Sequence, residues 1–84
     1  MAEPTSDELT ITLRKPVELG GMTYTTLELR EPTADEWTRW DKLDGVEADI
    51  KAVATVSGVP EPAVRKIGSR DLTRASKFIA DFLS

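Results

Sequence analysis

Six carboxylates crowd the middle of the chain, Asp35, Glu36, Asp41, Asp44, Glu47 and Asp49. Acidic groups at that density are the raw material of general acid-base catalysis or of a hard-metal site. Their spacing points elsewhere, because on helices it sets most of them on solvent-facing positions, the pattern of a hydrated surface. Asp41, Asp44 and Glu47 resemble a set of oxygen ligands, yet no glycine-turned loop of the calcium-binding kind accompanies them. The chain has no histidine and no cysteine. That removes the commonest general base, the commonest zinc ligand and the thiolate nucleophile together. Catalysis would rest on carboxylates, lysine or serine without a convergent set, so the sequence predicts a protein that is not an enzyme. Neither metal nor cofactor is expected, since Gly20-Gly21 is not followed by the lysine or helix start of a phosphate-cradling loop.

Basic residues concentrate after Gly58, at Arg65, Lys66, Arg70, Arg74 and Lys77, against an acidic stretch before it. Short helices there could imitate a helix-turn-helix, but Phe78 and Phe82 stand where base-reading polar groups belong. Lys and Arg total 11 against 15 Asp and Glu, a net charge of -4 with a pI near 4.7. A nucleic-acid partner is therefore not expected. The asymmetry suits an acidic protein partner or self-association. No apolar run approaches the roughly 20 residues that cross a bilayer, and the first residues are polar and acidic, so no membrane partner is expected either.

These groups must be positioned by a small fold of 84 residues, a single domain without disulfides whose stability comes from packing. Residues 1–8 offer nothing to bury and predict a disordered tail, leaving 9–84 as the domain. The pivot is Leu27 to Trp37, where the hydrophobic period changes from two to nearly four residues. Leu27 and Leu29 share a strand face, Pro32 closes the strand, and Thr33 with Glu36 has the spacing of a helix capping box. Upstream, Leu9, Ile11 and Leu13 alternate with polar residues as a first strand, Val17 and Leu19 extend it after a kink at Pro16, and Gly20-Gly21 reads as a hairpin turn. On the return strand the apolar set changes parity between Tyr24 and Leu27. Either a bulge near Thr25 or Thr26 repairs this, or the Met22 and Tyr24 end is twisted clear of the core.

Downstream, the spacing predicts a helix over Ala34 to Leu43 with Trp37, Trp40 and Leu43 on one stripe. Each tryptophan can bury about 150 to 250 Å², so the pair reads either as core anchors or, through Trp40, as part of a partner groove. A second helix over Val46 to Ser57 turns Val46, Ile50, Val53 and Val56 inward and stops at Gly58. A short third helix from Pro62 to Ile67 uses Val64 and Ile67 as contacts, and Ser69 caps a fourth with Asp71 near its N-terminus. That helix carries a broad apolar stripe, with Leu72, Ala75, Ile79 and Phe82 expected on the body and Phe78 or Leu83 in an exposed patch. Trp40, Phe78, Phe82 and Leu83 are the candidate partner-binding residues. The fold class is α+β, an N-terminal β-hairpin followed by three to four short helices packed on one sheet face, with open edges that could recruit a further strand.

The segments Ile11-Thr12-Leu13-Arg14-Lys15-Pro16, Leu27-Glu28-Leu29-Arg30-Glu31-Pro32-Thr33, Gly58-Val59-Pro60 and the closing helix from Asp71-Leu72 to Phe82, taken in that order, resemble the small tail assembly chaperones of long-tailed bacteriophages and prophages, the Mu-like and P2-like tail assembly protein E group. The resemblance covers about Leu9 to Leu83, its most specific part being the Leu27 to Thr33 junction; the Trp37 and Trp40 pair is bulkier than the group's pattern. It implies a non-enzymatic protein that binds the long, apolar, helical tape measure protein and keeps it soluble until tail-tube subunits polymerise around it. That work belongs to the cytoplasm of the bacterial host and not to the mature virion. A generic α+β interaction module and a small DNA-binding regulator are the competing readings.

Overall fold

The computed structural model describes residues 7–83, so the predicted tail lies outside the described residues over 1–6. Strand β1 (Glu8–Leu19) pairs antiparallel with β2 (Met22–Arg30) in a two-stranded sheet. The strand starts one residue before the expected domain boundary. Gly20 and Gly21 have φ of 57° and 82°, the left-handed pair that a tight hairpin turn with the sheet's own twist requires. Ile11, Leu13, Val17, Leu27 and Leu29 are buried, while Thr10, Thr12, Glu28 and Arg30 face outward. That alternation leaves one face of the sheet to the helices.

The ladder is regular from Glu8↔Arg30 to Thr12↔Thr26 and resumes at Val17↔Tyr24. Between those points Leu13, Arg14, Lys15 and Pro16 oppose Thr25 alone, so the extra residues lie on β1 and not on the return strand near Thr25 or Thr26, where one of the two expected alternatives put them. Pro16 has no N–H to give a ladder, and the N–H of Arg14 donates instead to Oδ2 of Asp71 at 2.9 Å. Leu13 and Val17 remain inward four residues apart, which is why the insertion leaves no trace in β1's own parity. Met22, at the turn, is 56% exposed, while Tyr24 packs partly against the core.

Helix α1 (Ala34–Trp37) opens with the expected capping box: Thr33 Oγ1 accepts from the Glu36 amide at 3.1 Å and Glu36 Oε1 from the Thr33 amide at 2.9 Å. It is far shorter than the spacing predicted. Beyond Trp37 the chain turns largely through i→i+3 bonds, Trp40 to Trp37 and Leu43 to Trp40, and a 3.6-residue period no longer decides which side chains share a face. Trp40 is buried at 6% exposure, whereas Trp37 and Leu43 stand 39% and 42% exposed. The three do not form one buried stripe.

Helix α2 (Gly45–Ser57) buries Ile50, Ala52, Val53 and Val56 and ends at Gly58 with φ 79°. Val46 is 56% exposed, contrary to expectation, because the first turn with Gly45 and Glu47 stands clear of the body. Helix α3 (Glu61–Val64) buries Ala63 and Val64 and is tied to α2 by Lys51 with Glu61 at 2.6 Å and Arg65 with Glu47 at 2.7 Å. Helix α4 (Ser69–Ala80) buries Asp71, Ala75 and Ile79. Its N-cap is Gly68, with no side-chain cap. Ser69 is already helical and its hydroxyl does not fill the capping role assigned to it. Helix α2 touches β2, α1, α3 and α4, making it the centre of an α+β fold in which helices cover one sheet face. No helix among the described residues is long and apolar enough to cross a membrane.

Candidate functional site

The carboxylates are engaged structurally or stand in solvent. Both oxygens of Glu36 receive the Arg30 guanidinium, at 2.8 and 2.7 Å. That fork and the Thr33 amide hold its carboxyl at a pKa of about 2, well below the ordinary value, and raise that of Arg30. Arg65 likewise lowers the carboxyl of Glu47. A general base needs the opposite, a proton affinity near working pH. Asp35, Asp41 and Asp44 are exposed, and among the described residues no group of three acidic side chains could hold a metal ion. A depression of about 450 Å³ lies where the ends of both strands meet the C-terminus of α2. Its Ser57 hydroxyl accepts from the Val59 amide at 3.1 Å, so this serine closes a turn.

The apolar candidates separate. Trp40 belongs to the core and offers no free ring face. Phe78 and Leu83 are half-buried and pack against the core, as does Leu72. Phe82, expected on the body, is partly buried and meets Phe78 edge to face, with ring centroids 5.2 Å apart. The reason is local: α4 ends at Ala80, and the Phe82 amide bonds back to Ile79 in a tighter turn, off the helical period. Phe78, Phe82 and Leu83 thus stay together at the end of α4, away from Trp40's place in the core.

Next to them is a second feature. Arg70, Arg74 and Lys77 line a cleft of about 400 Å³ with Ser69, Thr73, Asp71 and Arg14. The i, i+4, i+7 spacing of the three helix cations was visible in the sequence; the arrival of Arg14 from β1 was not. Arg65, by contrast, is engaged with Glu47, so the basic third of the chain is not one continuous patch. The apolar end of α4 thus adjoins a positive cleft.

A family model described as phage tail assembly chaperone proteins, E, or 41 or 14, matches residues 10–84. The chain belongs to the phage tail assembly chaperone family. No curated protein and no solved structure matches it. The match takes in β1 from its third residue, β2 and helices α1 to α4 of the chaperone, so α4 and its turn are parts of the family's domain and not an appendage to it.

Proposed function

We propose that this chaperone binds the tape measure protein and keeps it soluble until tail-tube subunits assemble around it, acting by binding and not by catalysis, in the cytoplasm of the bacterial host. The observation that carries the reading is the aromatic end of α4, where Phe82 and Phe78, both partly buried, meet edge to face beside a cleft lined by Arg70, Arg74 and Lys77. Amphipathic helical segments of a tape measure protein would meet it as a helix laid on an apolar strip.

The test is co-expression with the tape measure protein. Phe82→Ser is expected to stay folded and to leave that protein insoluble, and Trp37→Ser to stay folded and protect it. Soluble tape measure protein at wild-type yield beside folded Phe82→Ser would show that the aromatic end is not the binding surface.

A further inference from the structure

We infer that α4 carries a two-part docking ridge for an acidic amphipathic helix of the partner polypeptide; the inference rests on the chaperone reading above and specifies its partner's chemistry. Arg70, Arg74 and Phe78 recur every four residues of α4, which lines them up along one ridge about 12 Å long, and Phe82, in the turn beyond the helix, extends it by its contact with Phe78. The first half is cationic. Arg70 and Arg74, with Lys77 and Arg14, surround the cleft of about 400 Å³, and none of these side chains has an ion pair among the described residues, whereas Arg30, Lys51 and Arg65 each hold a glutamate. The cleft holds one carboxylate, Asp71, which is 4% exposed and accepts the Arg14 amide, against four cationic side chains. In a chain of net charge -4 this is a concentrated positive opening. The second half is the Phe78–Phe82 pair.

Cations followed by aromatics on one ridge match a helix that presents Asp or Glu over one stretch of a face and apolar anchors over the next. The charged half steers and orients the partner, and the aromatic half retains it. A polypeptide fits better than a nucleic acid, because half of the ridge has no donor for phosphate and the net charge repels a polyanion.

Two synthetic amphipathic helices with the same apolar face, one bordered by Glu and the other by Lys, test this by fluorescence anisotropy at about 0.15 M salt, where short-range pairing outlasts screening. The wild type is expected to prefer the acidic peptide by about tenfold or more. Arg70→Glu with Arg74→Glu should remove or invert the preference, Arg70→Lys with Arg74→Lys should keep it, and Phe82→Ser should weaken both peptides. Thermal melts confirm folding, which these exposed, unpaired arginines do not support. The inference is overturned by equal binding of the two peptides, by a preference that survives charge reversal, by short duplex DNA displacing the acidic peptide at similar concentration, or by charge reversal that converts a dimer to a monomer. Co-expression separates the two readings. If wild type and the Glu variant both keep the tape measure protein soluble, the ridge is wrong and the function stands. If wild type fails there while the peptide preference and its loss persist, the ridge stands and the tape measure reading falls.

Discussion

Glu36 receives three hydrogen bonds, from both Arg30 nitrogens and the Thr33 amide, and so joins the end of β2 to the start of α1. Its folded pKa of about 2 lies below the ordinary 4.5, so its contribution is fully present above about pH 4.5 and is lost as pH falls toward 2. Because Arg30 is 45% exposed, solvent screening limits that contribution to about 1 kcal/mol. Urea midpoints at pH 7 and pH 3 should therefore converge between wild type and Glu36→Gln at the lower pH; an equal gap at both would remove the charge from the account. Thr33→Ala should lose about 0.5–2 kcal/mol for the lost cap. Asp71, at the third position of α4, has the placement of a charge that complements the helix dipole, yet its carboxylate serves the bulge in β1. Asp71→Ala should cost about 1–3 kcal/mol, with hydrogen exchange at the Arg14 amide accelerating beyond the global change.

At the scale of elements, the ends of helices decided what the surface offers. Glycine at 58 takes φ 79° with open space around its α-carbon, so Gly58→Ala meets backbone strain alone and should destabilise by about 1–2 kcal/mol, read from a thermal melt. The early end of α1 releases Trp37 from the core and keeps Trp40 in it. The end of α4 at Ala80 places Phe82 against Phe78, a pair of rings that adds about 0.5–1.5 kcal/mol. Phe82→Ser should lose that together with the contribution of its own partial burial, while Phe78→Ser, which also uncovers core contacts, should lose more. Equal losses in the two melts would mean that Phe82 is part of the core after all.

For the whole molecule, one layer of helices over a two-stranded sheet, without disulfides, leaves little redundancy. Ile79, 1% exposed, joins α4 to the shared core. Ile79→Ala should cost about 2–5 kcal/mol, a large fraction of the about 5–15 kcal/mol that folded domains hold, and a loss of cooperative melting would be the sign. The same charge distribution that favours an acidic polypeptide argues against DNA. Filter binding should show weak duplex association at low salt, through Arg70 and Arg74, that disappears at physiological salt; sequence-dependent nanomolar binding there would reverse the functional reading.

The sequence by itself determined the hairpin, the handover at Pro32 and Thr33, the Gly58 stop and the inward set Ile50, Val53, Val56, Ala75 and Ile79, because each depends on local φ preference, capping or an uninterrupted period. The family resemblance, carried on those same segments, was legible there as well. Only the tertiary structure decided that Trp40 is buried and Trp37 is not, that Val46 stands outside, and that Phe82 rests on Phe78. Each of these lies at or beyond a helix end, where the period that assigns faces has lapsed. It alone decided, too, that the bulge belongs to β1 and that Arg14 joins the helix cations. The N–H left without a ladder partner by the bulge finds its acceptor 57 residues away in Asp71, and a contact at that separation is fixed by how the helices close over the sheet.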